Sequence, residues 1–489
     1  MLEILIALAI GVTSIVGAML ITFGTPEMLA NARLEYVAYN IASALLTEAE
    51  LTARSNFDQI SSIAPISENG YESSLEVSYL HEDLAARLTA RVNWTDTRGR
   101  RKEISLESFI TDPESALDDA CSPFPLGNWQ EPRQTANHSL TNNDLLPGVS
   151  GLYPIADVVT TRDALLAGVS STELPTDSSL FLFKLGKSGE FPQMQGAFDN
   201  ASTSRTGYAA VSATGEYAYA ANAFGSASPV TCSTGACAQL HVFDLRDGLK
   251  LISSFSLSMD APPYAQSAGG KTSPAKALTY RKGYIYLGLE KTLNGMEFNI
   301  IDVHDPEDPH WIGGVAVGRS VNDISIQGTR AYLATSDPVR EFIIVNIEDP
   351  FDPQIVGVWN APGSANFGLG NVMLARAGRI YIGRSYVGNA SEFYVFETNE
   401  LTTPVYEYDF GTILTPRSVN GIIARGPLLA ILVGSRLELW HRNDSSFVPF
   451  ADSLELLGIG TSLACRGNTF YVGGVDESGN GFITEFTAS

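Results

Sequence analysis

Apolar and polar residues follow three successive rhythms along the chain. From Met1 to Phe23, "MLEILIALAIGVTSIVGAMLITF", the only formally charged side chain is Glu3. A helix of that length spans roughly 30 Å, enough to cross the hydrocarbon of a bilayer. "FGTPEML" breaks this run: Gly24 is flexible, Thr25 can cap, Pro26 fits the first position of a new helix, and Glu27 favours the positive helix end. A second, amphipathic helix is predicted to about Asn56, with Leu34, Val37, Ile41, Leu45, Glu48 and Leu51 stepping by three or four along one stripe. Then the period drops towards two. "YESSLEVSYL" and "ARLTARVNWTDTRGRRKEISLESFI" read as strands, the latter a hairpin around "TDTRGR".

From about residue 150 the third rhythm takes over and repeats. "ALTYRKGYIYLGLE", "ISIQGTRAYLATSD", "MLARAGRIYIGRSY", "GIIARGPLLAILVG" and "SLACRGNTFYVGGV" are strand, turn, strand copies of one another. Their turn glycines are Gly283, Gly328, Gly378, Gly426 and Gly467, spaced 41 to 50 residues apart, and Gly215 marks an earlier copy. The strands that follow also align: "SLFLFKL", "QLHVFDL", "EFNIIDV", "EFIIVNI", "EFYVFET", "RLELWHR" and "GFITEFT" make seven copies. A four-stranded unit of roughly 45 residues in seven copies predicts a seven-bladed β-propeller. "IIDVHDPEDPHWIGGV" and "IVNIEDPFDPQIVGVW" resemble the LVIVD-type propeller repeat, which implies a fold and little chemistry.

The seventh copy ends at Ser489 after its third strand. "NWQEPRQTANHSL", just before the first blade, is placed to supply the missing fourth. Cys121 precedes that stretch and Cys465 lies in the first strand of the last blade, so a bridge between them would lock the closure. The expected pairs are Cys121 with Cys465 and Cys232 with Cys237. An even cysteine count fits an oxidising compartment.

Composition narrows the partners. With 54 acidic against 31 basic side chains and a formal charge of −23, nucleic acid and anionic lipid would be repelled. Gly 44 and Pro 24 fit many strands joined by turns.

Three readings compete for the first segment: a signal peptide, a plain membrane anchor, and a helix that passes from membrane to a protein assembly. A signal peptide begins with basic residues, and an anchor leaves Glu3 without a role. In an assembly the carboxylate can pair with a neighbour's α-amino group and fix axial register. "LEILIALAIGVTSIVGAMLI" resembles the start of type IV pilins and type II secretion pseudopilins, where a glutamate lies just inside the mature N-terminus, typically as the fifth residue; here it is the third. The resemblance implies an α+β pilin-like N-terminal domain, a long N-terminal helix plus a small antiparallel sheet, ahead of the all-β seven-bladed propeller. The domains expected are residues 1–23 as a hydrophobic helix of membrane or filament core, 24–115 as the pilin-like domain, 116–149 as linker and ring-closing strand, and 150–489 as the propeller.

No catalytic constellation stands out. Of the histidines, only His304 and His310 sit together, in "DVHDPEDPH", and a turn between strands explains that loop. "DESGNG" from Asp476 to Gly481 resembles half a calcium loop without its distal glutamate, and reads as a hairpin turn. Neither a nucleophile elbow nor a phosphate loop is present. The expectation is therefore no enzyme, no cofactor and no metal. The longest inserts, "ANAFGSASPVTCSTGACAQL" and "SMDAPPYAQSAGGKTS", are the favoured binding loops. The function expected is a minor pilin or pseudopilin-like subunit of a type IV filament system that displays a propeller head for adhesion or surface recognition. Its partners would be other pilin-like subunits, met through the N-terminal helix, the membrane before assembly, and an unknown surface ligand. Its location would be the inner or cytoplasmic membrane, then the cell surface or an extracellular filament. The alternatives are a membrane-anchored propeller binding protein that never polymerises and a propeller enzyme.

Overall fold

A computed structural model describes residues 26–489 apart from 56–59, 61, 81–84, 112–120, 122–127, 141–152, 171–178, 187–191, 199–206, 224–237, 247, 258–271, 294, 362–368, 377, 386–390, 399–401, 412–417, 443–445 and 451–452. The chain divides into two compact units, Met1–Pro113 and Glu114–Ser489.

In the first unit, helix α1 (Pro26–Ser55) packs on an antiparallel sheet of β1 (Ile63–Glu68), β2 (Tyr71–Leu80), β3 (Ala85–Thr95) and β4 (Arg101–Thr111), in that order. The helix buries Ala38, Ala42, Leu46, Ala49 and Ala53, whose spacing of three or four keeps them on one face. Alanines at the centre let the sheet approach closely, so the larger Leu34, Ile41 and Leu45 flank the seam half-buried. This corrects the phase of the expected stripe: Val37, Glu48 and Leu51 are exposed. Asn69 and Gly70, both with positive φ (52° and 83°), make the two-residue turn between β1 and β2. Asp96 and Gly99 close the β3–β4 hairpin.

The expected fold class needs correction. Among the described residues one helix of 30 residues stands against thirty-three strands, so the chain is predominantly β. That helix begins at Pro26, and no long helix from the N-terminus is described, since Glu3, Gly24 and the whole of residues 1–25 lie outside the described residues. The membrane location is corrected likewise: no helix among the described residues is long and apolar enough to cross a membrane.

The second unit is a seven-bladed propeller. Its blades span residues 155–198, 208–255, 275–315, 321–359, 370–408, 419–455 and 458–487, each an antiparallel sheet built in chain order. The first strand of every blade contacts the first strand of the next, and blade 7 contacts blade 1, so the first strands surround a central channel. Second strands such as Leu428–Val433 are buried along their whole length because neighbouring blades cover both faces. The apolar clusters fill the seams; one joins Ile300 and Phe298 of blade 3 to Leu333 and Ile343 of blade 4.

Blade 7 takes its fourth strand from ahead of blade 1. Strand β5 (Arg133–Ser139) pairs with Gly481–Thr487, Ser139 opposite Phe482 and Arg133 opposite Thr487. Asn128 and Ser489 exchange backbone hydrogen bonds at the end of this ladder. Cys121 is bonded to Cys465 in the first strand of the same blade.

The channel mouth and the loop face of the propeller

Every blade carries the same irregularity, a register shift between its first and second strands, one residue into the first strand in blades 1 to 6 and three residues into it in blade 7. Such a bulge re-aims one side chain. The residues at that position are Ala156, Ala209, Lys276, Asn322, Asn371, Asn420 and Thr461. Four of them lace adjacent blades. Asn322 donates to the carbonyl of Gly370 (2.6 Å), Asn371 to Val419 (2.7 Å), Asn420 to Gly460 (2.6 Å) and Thr461 to Ile155 (2.8 Å).

One residue further on, two carboxylates bind the inner backbone edges. Asp157 accepts hydrogen bonds from the amides of Val158 and Val211 and from the Ser462 hydroxyl, and so ties blades 7, 1 and 2. Asp323 accepts from Ile324 and, at 2.7 Å, from Met373 of blade 5. Burial raises both pKa values against the effect of these donors; that of Asp323 is pushed up to about 6, with the charge of Asp157 adding to the rise.

A third recurring polar position directly precedes the third strand. Gln239 accepts from Leu257, Glu297 from Val317 and Gly318, and Glu392 from Phe410, each holding the exit of its blade's fourth strand. Glu341 instead makes a fully buried bidentate pair with Arg384 across the seam between blades 4 and 5 (2.6 and 2.8 Å). These groups missed the sequence reading although their signal was present in the aligned phrases "QLHVFDL", "EFNIIDV", "EFIIVNI" and "EFYVFET".

The two ends of the channel differ. At one end the first and second strands are joined by tight turns, residues 282–283, 328–329, 426–427 and 467–468. There Gly283, Gly328, Gly378, Gly426 and Gly467 adopt left-handed φ of 77°, 58°, 72°, 51° and 53°, which a side chain disfavours; Gly215 sits in the corresponding turn of blade 2 without a positive φ. At the other end lie the connections from second to third strand and from one blade to the next, including residues 223–239 and 256–274. The described residues that flank both favoured inserts lie at this end, and most of the inserts' own residues, Cys232 and Cys237 among them, lie outside the described residues.

The remaining candidates are occupied locally. His304 Nδ1 lies 2.8 Å from Asp302, and His310 Nε2 lies 3.9 Å from the same carboxylate. Among the described residues no group of three or more His, Cys, Asp or Glu side chains could hold a metal ion. Asp476 accepts from the amides of Ser478 and Asn480, closing "DESGNG" as a hairpin turn. His241 and Tyr208 meet at 2.5 Å inside blade 2. In the β3–β4 hairpin of the first unit, Arg100 pairs with Asp96 and Arg101 with Glu72.

No protein-family model matches the chain, and no curated protein matches it. Of the 407 solved chains that do, one from the structure described as "Crystal Structure of Mitotic Checkpoint Complex" aligns with a TM-score of 0.50 at 10% identity, over 73% of this chain and 94% of that one. At such identity the similarity shows the propeller fold alone.

Proposed function

We propose that the propeller is a recognition module rather than an enzyme, and that it binds a protein partner through its loop face. The observation that carries this reading is the contrast between one end of the channel, where two-residue turns join first to second strands and the third-to-fourth-strand connections are no longer than residues 185–192 and 398–405, and the other end, where connections are as long as residues 256–274. Function on such scaffolds is grafted onto loops held by a rigid frame. The lacing of the channel supplies that frame, and its polar groups are engaged in holding blades together rather than poised for chemistry. The similar solved chain belongs to a protein complex, which is in keeping with a binding role. The test replaces residues 256–274 with a short Gly/Ser turn and, separately, exchanges exposed residues of the tight-turn end. Partners that co-purify from source cells should be lost from the first variant and kept by the second; the reverse pattern would overturn the assignment of the face.

A finer reading makes this module the head of a minor pilin or pseudopilin-like filament subunit serving adhesion or surface recognition. What favours it is the sequence of residues 1–23, apolar but for Glu3. Glu3→Leu should then abolish incorporation into filaments; unchanged incorporation would sink this version and leave the recognition module standing.

A further inference from the structure

The fourth position of the fourth strand follows a rule in blades 1 to 3: the connection between third and fourth strands of the next blade presses on it. A Cβ added at Gly196 of blade 1 would meet Leu249 of blade 2 at 2.9 Å. Ser253 of blade 2 donates its hydroxyl to the Pro306 carbonyl of blade 3 at 2.6 Å. Gly313 of blade 3 lies directly against the Pro350 carbonyl of blade 4. Blade 4 breaks the rule. Among the described residues, the three atoms nearest a Cβ at Gly357 all belong to Ile344 of its own blade, and the glycine lines a cavity of about 110 Å³ between blades 4 and 5. The walls are Tyr332, Phe342 and Trp359 on one side and Met373, Ile382 and Phe396 on the other. An apolar cavity of about 150 Å³ stays dry and holds benzene, so this one is of a size for one apolar side chain.

The strand that carries the glycine, Gln354–Trp359, is the last of its sheet, so its outer edge has no strand beside it. Among the described residues its backbone makes no hydrogen bond beyond its ladder to Phe342–Asn346. Val356 and Val358 are 56% and 54% exposed along it, and it holds none of the charges or prolines that blunt such edges. Charge gathers only at its entry. Glu348, Asp349 and Asp352 are exposed and take part in no ion pair among the described residues; Asp349 accepts from Phe351 N and Asp352 from Gln354 Nε2. From Glu341 to Ala375 the sequence holds four acids and no Lys, Arg or His. Arg330, two strands away and opposite Asn346, is turned to Tyr332.

We propose that an extended segment of a partner protein adds to this edge as a fifth strand of blade 4, with one apolar side chain seated over Gly357 in the cavity and a Lys or Arg facing Glu348, Asp349 and Asp352. Backbone hydrogen bonds hold an added strand, and a pocket for an alternate side chain selects it. A large residue opposite an edge glycine covers the gap that the glycine leaves. The three acids favour a basic segment and disfavour a second copy of this chain, whose own edge carries the same acids. The surface is the outer rim of the ring, so the inference stands independently of the loop face.

A random-peptide library displayed on phage, depleted on Val356→Lys/Val358→Lys and then panned on the intact parent, tests it. Both valines are more than half exposed, so circular dichroism and thermal unfolding of the variant should match the parent; Val358→Lys alone replaces it if they do not. Retained sequences should alternate apolar with polar residues and carry Lys or Arg towards one end. Their synthetic, fluorescently labelled forms should bind Glu348→Lys/Asp349→Lys at least about tenfold more weakly. N-methylation of one alternate set of peptide amides should abolish binding and of the other set leave it, because an added strand offers a single edge to the blade. An empty selection, an acidic or charge-free consensus, or binding that survives both methylations overturns the proposal. So does a parent that dimerises in light scattering while Val356→Lys/Val358→Lys stays monomeric, which would give the edge to a second copy.

Discussion

Removing the Cys121–Cys465 bond, by Cys121→Ala/Cys465→Ala, tests how the ring is held shut. The bond spans a sequence separation of 344 residues, nearly the whole propeller. For a loop of that size the chain-entropy relation gives about 6 kcal/mol of destabilisation of the unfolded chain, above the measured range of about 0–5 kcal/mol, so a loss of about 3–5 kcal/mol is the reasonable expectation. The native closure itself should persist, because β5 keeps its ladder to Gly481–Thr487 and Asn128 its bonds to Ser489. Trp129 is a built-in reporter: it is buried beside the closure, edge-on to Phe470 with ring centroids 5.0 Å apart. Urea unfolding followed by tryptophan fluorescence should therefore show an unchanged folded baseline and an earlier transition. Reduction should destabilise the parent far more than the variant. A variant within about 1 kcal/mol of the parent would refute the entropic role of the bond, since that is far below what the loop length demands. A shifted folded baseline would show instead that the bond, and not the ladder, holds β5 in place.

Three further outcomes follow from the seams and turns. The folded pKa of Asp323 is raised to about 6 from 3.8, so its stabilising contribution is full below about pH 4 and lost as pH rises through 6; with about 1.4 kcal/mol per unit the swing is about 3 kcal/mol, a ceiling because the channel leaves the residue partly accessible. Parent minus Asp323→Asn stability, measured by denaturant unfolding from pH 4 to 8, should fall over that window, and a flat difference would contradict the buried-carboxylate account. Arg384→Leu should cost about 3–5 kcal/mol by stranding the buried Glu341 charge, whereas Arg384→Leu/Glu341→Leu should recover much of it; equal losses in both would mean the pair is not what matters there. Gly328→Ala, with open space at its Cβ, should lose only about 1 kcal/mol from left-handed backbone strain. Gly283→Ala should lose somewhat more, because its Cβ would push the exposed His304 ring off its hydrogen bond to Asp302, and identical melting shifts for the two would mean that the ring swings aside at no cost.

The propeller was legible because each blade must bury both faces of its sheet between neighbours, which writes the same apolar strand into every copy and a turn glycine into six of the seven. Ring closure was legible as a deficit: a blade lacking a fourth strand at Ser489 requires one from elsewhere, and "RQTANHS" supplies it. The helix stripe was misjudged because hydrophobicity alone weights Leu and Val, while close approach of helix to sheet selects Ala38, Ala42, Ala49 and Ala53. The lacing was missed for a related reason. "VND", "GNV" and "VNG" repeat an asparagine one residue into the first strand, but a strand-period reading assigns that position to an ordinary face, and only the bulge turns it towards the next blade.

The same lacing explains where recognition is to be sought. In a ring of sheets each inner edge exposes unpaired amides and carbonyls to the channel, a cost met here by Asn322, Asn371, Asn420, Thr461, Asp157 and Asp323 from within the frame. Polar side chains that recur blade after blade are thus explained by closure of the ring and say nothing about a ligand. What distinguishes a partner's site is the residue that breaks the repeat without serving a seam.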